Sequence, residues 1–219
     1  MWLMEGGAEP LTFDRTSVQD RYVPKLVDVA ERRDEIVSAV LAVLDDRGVD
    51  GLTVRGVAQQ AGVSAGLLHH YFPGGKTELL HAAVSTAVER GVHRMLAVLD
   101  QNSGLEAVRS VALELLPVVP ERRLEWSAWV ALWGQILTTE QALAEQRERL
   151  DNWRSLLATL LEQAVNTGEL AAELDTVDTA LRLAALLDGL GLHAMIAPDL
   201  LTPARLAGHV DAFLDSLRP

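Results

Sequence analysis

An all-α fold is what the sequence predicts, on three observations. Beyond position 30, apolar residues recur every three or four positions in run after run. No stretch alternates apolar and polar with the period of two that marks a strand. The runs stop at glycines, prolines or a threonine pair, residues that end helices or sit badly inside them. Counted this way the runs set an expectation of nine helices: three at the N-terminal end, a long fourth, and five behind it.

Residues 1–30 hold two glycines, two prolines and charges of both signs with no helical period over most of their length, and are expected to form a mobile arm. From about 31 to 47, Ile36, Val37, Val40, Leu41 and Leu44 make one apolar stripe, which Gly48 ends. A short helix follows. Val54, Val57, Ala58 and Ala61 fall at i, i+3, i+4 and i+7, and Thr53 stands where an N-cap hydroxyl belongs. Gly62 then permits the left-handed backbone of a sharp turn, Val63 tucks inward, and Ser64 caps a second short helix through Leu67, Leu68 and Phe72, stopped by Pro73. Two short helices joined by a glycine turn make a helix-turn-helix.

The fourth helix starts at Gly75, Lys76, Thr77 and Glu78, with Gly75 as N-cap, and runs to about Leu99. Leu80, Val84, Val88, Val92 and Leu96 are expected to be its buried stripe, and its free N-terminal amides beside Lys76 suit an anion. Breaks at Pro117 and Pro120, Thr138 and Thr139, Gly168 and Pro198 leave helices at about 105–116, 121–137, 140–167, 176–196 and 203–217. The segment 176–196 is apolar almost all round through Leu181, Leu183, Leu186, Leu187, Leu190 and Leu192, so every side of it needs cover. The last helix, capped by Thr202 with Pro203 in its first turn, carries Leu206, Val210, Phe213, Leu214 and Leu217.

The hairpin's second helix has another face. Ser64, Ala65, Gly66, His69 and His70 are small at the start and hydrogen-bonding further on, which fits a major groove; an ordinary helical hairpin is the alternative. The run GLTVRGVAQQAGVSAGLLHHYF, followed by GKTELL, resembles the DNA-binding signature of the TetR family of bacterial transcriptional regulators. It departs from the family pattern at Ala65, where many members carry lysine, at His69, where many carry tyrosine, and in PGGKTE, one residue longer than usual.

The resemblance implies a nine-helix TetR-like architecture. A helix-turn-helix head at residues 31–75 would be followed by a ligand-binding and dimerisation body at 76–219, with the fourth helix as connector. It further implies a homodimer through the helices at 176–196 and 203–217 that sets two hairpins into successive major grooves of a palindromic double-stranded operator. A small-molecule effector in the body would release this repressor. Matched position by position, Thr53, Arg55, Ser64, Ala65, His69, His70, Tyr71 and Lys76 fall where phosphate or base contacts are made, with His69 in a base-reading place. Arg15, Arg21 and Lys25 would let the arm reach a phosphate or minor groove, although solvation of an extended segment explains them more simply.

Bulk properties qualify this. The net charge of −12, from 31 acidic and 19 basic residues, argues against nucleic acid for the chain as a whole. Duplex binding needs only a local footprint, however, and Arg32, Arg33, Arg55 and Lys76 lie in or beside the hairpin, while Glu140, Glu145, Glu148, Asp151 and Glu162 lie far along the chain. Weak non-specific affinity and a modest salt slope are expected. The acidity also sustains a second reading, a small-molecule carrier or protein-interaction module of the same fold without specific DNA binding. No cysteine rules out a disulfide framework, and the start MWLMEGGAEP has no basic segment leading into an apolar one, so a cytoplasmic protein with no membrane partner is expected.

Ligand chemistry rests on tryptophan. Trp126, Trp129 and Trp133 recur at i, i+3 and i+7, and Trp153 follows on the next helix; such a stripe lines a cavity or simply fills a core. With Glu125, Asp188 and His193 as polar partners, a cationic amine held by cation–π contact is the expected effector, and the region loosely resembles the choline- or amine-responsive branch of the family. No enzyme is expected. His69 and His70 point about 100° apart on a helix and cannot share a metal, no HExxH, nucleophile elbow or phosphate loop occurs, and GxG at 189–191 has no strand before it, so no metal or cofactor site is assigned.

Overall fold

The computed structural model describes residues 29–136 and 140–219, which form nine helices and, among the described residues, no strand. They are α1 (Val29–Gly51), α2 (Val54–Gln60), α3 (Ala65–Tyr71), α4 (Gly75–Leu99), α5 (Gly104–Glu114), α6 (Pro120–Ile136), α7 (Glu140–Asn166), α8 (Thr176–Ile196) and α9 (Pro203–Asp215). The arm expected at 1–30 lies outside the described residues as far as position 28, and so does the break at Thr138 and Thr139.

The caps explain the hairpin. Thr53 Oγ1 accepts from the Gly56 amide at 3.0 Å and Ser64 Oγ from the Leu67 amide at 3.1 Å, so each short helix begins with an orphan donor satisfied. Between them Gly62 stands at φ +66, the left-handed conformation that glycine adopts without strain. Gly48 does the same for α1, breaking its helical dihedrals at φ +62.

Two apolar clusters organise the chain. In the first, Ile36, Val40 and Leu41 of α1 meet Val57, Leu68 and Phe72 of the hairpin and Leu80 and Val84 of α4. Ala128, Ala131 and Leu132 of α6 belong to the same cluster, so a body helix closes the core of the head. Asp45 reinforces that seam: Ser127 Oγ donates to its Oδ1 at 2.9 Å and Arg123 Nε lies 3.4 Å from the same oxygen. The second cluster is built from α5, α7, α8 and α9 around Val108, Leu161, Leu183 and Leu206, and Arg109 of α5 pairs with Asp211 of α9 at 2.6 Å.

One expectation needs correction. The α4 stripe is buried only in its first half. Leu80 and Val84 enter the head core, but Val92 and Leu96 are exposed, because the helix leaves the head there and Val92 turns to a cavity wall. Leu67 is exposed; a step of one residue on a helix rotates the side chain by about 100°, away from buried Leu68. Helix α8 keeps an open side in the single subunit. Leu183 and Leu187 are buried, but Val177 is 72% and Ile196 73% exposed, with Leu181 also open. Helix α8 is long and apolar enough to cross a membrane, but its buried side is part of the second core cluster.

Candidate DNA-binding face and effector cavity

The outward face of the hairpin gathers most of the residues named from the sequence. Thr53, Arg55, Ser64, Ala65, His69 and His70 are all exposed. The two caps spend their hydroxyl oxygens on backbone amides as acceptors, which leaves each O–H free to donate outward. Tyr71 is half-buried against the head core, its ring edge-on to His70 with centroids 5.5 Å apart.

Other cations turn inward. Lys76 donates its Nζ to the carbonyl of Val49 at 2.5 Å and so braces the turn before α2. Arg33 stacks over the Phe72 ring at 4.3 Å and donates to the Tyr71 carbonyl at 3.2 Å, tying α1 to the end of α3. Arg32 pairs with Glu35 on its own helix. The start of α4 also differs from a vacant anion site: the N-cap is Gly74 rather than the expected Gly75, and Glu78 reaches back four positions to accept from its amide at 2.8 Å.

In the body, α4, α5, α6, α7 and α8 enclose a cavity of about 420 Å³. Each long helix contributes one face. From α4 come Val88, Gly91, Val92 and Met95, at i, i+3, i+4 and i+7. From α7 come Gln146, Arg149, Leu150 and Trp153 at the same spacing. The tryptophans Trp126, Trp129 and Trp133 of α6 all line it, as does Asp188 of α8. Trp126 is fixed by donating its Nε1–H to the Leu115 carbonyl at 2.7 Å and by an edge-on contact with Trp133 at 5.9 Å. Gly191 makes room for that indole; a Cβ there would fall on the Trp126 ring, which is why the glycine of the GxG run matters for packing.

His193 is not among the lining residues. It is exposed, because five residues beyond Asp188 is about 140° round the helix. Glu125 does line the cavity but is already satisfied. Arg94 of α4 grips it with Nη1 to Oε1 at 3.0 Å and Nη2 to Oε2 at 2.6 Å. Arg94 Nε also donates to Glu114 of α5 at 3.1 Å, and Arg122 of α6 reaches Glu114 from the other side at 3.0 Å. The hydrogen bond to Glu125 raises the Arg94 pKa, while burial lowers that of Arg122. Asp188 has no such partner: among the described residues no cation lies within ion-pair reach, and burial alone pushes its carboxyl up to about 6. Arg94, Glu114, Arg122 and Arg149 were missed from the sequence, because they come from four helices and share no spacing.

The chain resembles known proteins along nearly all of this architecture. The family described as bacterial regulatory proteins, tetR family, matches residues 36–83, and the BetI-type transcriptional repressor C-terminal family matches residues 104–219. The HTH-type transcriptional regulator PksA of Bacillus subtilis is 33% identical over 179 residues, covering 80% of this chain and 84% of its own. Among solved structures, a TetR-family transcriptional regulator from Rhodococcus sp. is 29% identical with a TM-score of 0.69, covering 87% of this chain and all (100%) of its own. A transcriptional regulator from Saccharomonospora viridis, solved in complex with choline, shares the fold at a TM-score of 0.77 and 23% identity, covering 85% of this chain and 96% of its own.

Proposed function

Because the chain belongs to the TetR family of bacterial transcriptional regulators, we propose that it is a homodimeric repressor whose two heads bind a palindromic operator until a cationic amine enters the body cavity. The family and its DNA-binding, ligand-responsive character are the premise; operator contacts, effector class and dimer faces are the proposal. In this reading residues 31–75 form the head, residues 76–219 the body, and the protein works in the cytoplasm where its operator is.

At the head, Ser64, Ala65, His69 and His70 enter the major groove, with His69 reading a base edge and Ala65 leaving room for close approach. Thr53, Arg55 and the Tyr71 hydroxyl meet phosphates, and Lys76 acts from behind by fixing the turn that presents Thr53. The exposed Val177, Leu181 and Ile196 of α8 supply an apolar face for the second subunit, to which α9 adds the other helix of the interface. A carrier without DNA affinity would have no use for capped, outward-facing hydroxyls and imidazoles on the hairpin.

One observation carries the ligand response. Helix α6 is two-faced: Trp126, Trp129 and Trp133 line the cavity, while Ala128, Ala131 and Leu132 sit in the core of the head. Cavity contents therefore press on a helix that is part of the head, and α4, which also lines the cavity and enters the head core, moves with it. Asp188 neutralises the cation and the indoles hold it by their faces. That the fold neighbour from Saccharomonospora viridis binds choline supports an amine here.

DNase footprinting on the DNA flanking the protein's own coding sequence tests the reading. Two protected half-sites about one helical turn apart, lost on adding millimolar choline, are the expected result. Uniform cleavage at every concentration, with the protein folded, would overturn it.

A further inference from the structure

The cavity wall carries two ionisable groups of opposite sign that no charged group among the described residues balances. Arg94, Arg122, Glu114 and Glu125 form a closed set of two cations and two anions, neutral as a group. Asp188 on α8 lies outside that set. So does Arg149 on α7, which lines the same cavity, is half-buried, and meets among the described residues no carboxylate within ion-pair reach. It donates a long 3.4 Å hydrogen bond to Gln146, itself a cavity residue.

Both line the one cavity from neighbouring helices, Asp188 from α8 and Arg149 from α7, and no ion pair joins them. Arg149 is one turn from Trp153 on the cavity face of α7, so an aromatic surface adjoins the guanidinium just as the α6 indoles face the rest of the space. A simple cation would compensate Asp188 and leave a guanidinium facing the ligand uncompensated. A molecule bearing both signs would satisfy both, and a carboxylate suits the planar fork of arginine.

We infer that the effector is zwitterionic, a quaternary or protonated amine carrying a carboxylate, with the cation held by Asp188 and the tryptophans and the anion by Arg149. The inference rests on the proposed amine site and narrows its ligand class. Simple amines still enter the site but bind less tightly, since only the zwitterion gains the second ionic contact.

Calorimetric titration of the full-length protein tests this with tetramethylammonium, choline and a series of trimethylammonio-carboxylates bearing one to four methylenes. In the wild type, one member of the series should bind at least about tenfold more tightly than tetramethylammonium, the ratio one added charge-assisted contact brings. Arg149→Gln should reduce that ratio to about one, and Arg149→Lys should restore part of it, which separates loss of charge from loss of packing. If tetramethylammonium and choline bind but no zwitterion binds more tightly, or if Arg149→Gln leaves the ratio intact, the zwitterion inference is overturned while the amine site stands. If no compound of any kind binds the folded protein, both fall together.

Discussion

The core of the head and the lining of the cavity are built from helices of the same kind, yet they handle polarity in opposite ways. Ile36, Leu68 and Phe72 are almost wholly buried among apolar neighbours, and no ionisable side chain of the head is buried. All four buried polar residues among the described ones, Glu125, Ser127, Gln146 and Thr179, belong to the body, and two of them line the cavity. A dry, close-packed core behaves as one rigid unit. A wall held by ion pairs and an unbalanced carboxylate has alternatives within reach when a charged ligand arrives. The difference assigns the parts: the head is carried, and the cavity decides where. Helix α6 joins the two because one of its faces belongs to each.

Substitutions on either side test this contrast. Leu68→Ala should cost about 3 to 4 kcal/mol through lost burial and the cavity left behind, and should abolish DNA binding while the body still takes up a cation; denaturant unfolding and calorimetry measure the two effects. Arg94→Ala strands Glu125 in the cavity wall. It should cost about 3 kcal/mol and weaken coupling between ligand and DNA more than it weakens either binding event alone. Gly191→Ala drives a methyl group into Trp126 and should cost about 2 kcal/mol, with a fall in ligand affinity and a changed tryptophan emission spectrum.

Asp188 gives the pH test. Its folded pKa of about 6 lies above the ordinary 3.8, so the folded state prefers the protonated form. The stability it contributes is complete below about pH 4 and is lost as pH rises through 6. Asp188→Asn should therefore match the wild type at pH 4 and exceed it by roughly 1 to 2 kcal/mol at pH 8, measured by thermal melts, while losing amine affinity. Ser64→Ala is the mildest change: loss of the cap should cost about 1 kcal/mol and weaken operator affinity by a similar amount.

How much of this was legible in the sequence follows from whether the information is local. The hairpin was, because Thr53, Gly62 and Ser64 act on backbone within three residues of themselves. The tryptophan face of α6 was, because i, i+3 and i+7 fix a direction. What spacing could not fix is where a long cation ends. Arg33 was counted only in the local cationic footprint and Lys76 was read as a phosphate contact, yet the first stacks on Phe72 and the second caps a carbonyl 27 positions away. The Arg94 network was invisible for the same reason, since its members meet only after α4, α5 and α6 have packed. His193 failed by simple rotation, being on the same helix as Asp188 but on another side. The role of α6 in the head was also hidden: its alanines look like filler until α1 lies against them.

Fluorescence anisotropy puts the link between cavity and head to the most direct trial. A labelled operator, selected by the protein from a random pool, is titrated with wild type and with Asp188→Asn, each without and with a cationic effector at a concentration that saturates the wild-type cavity. Operator affinity should fall at least about tenfold for the wild type, the lower part of the usual allosteric range, and stay constant for Asp188→Asn. Equal operator affinity for the wild type with the cavity empty and full would contradict it.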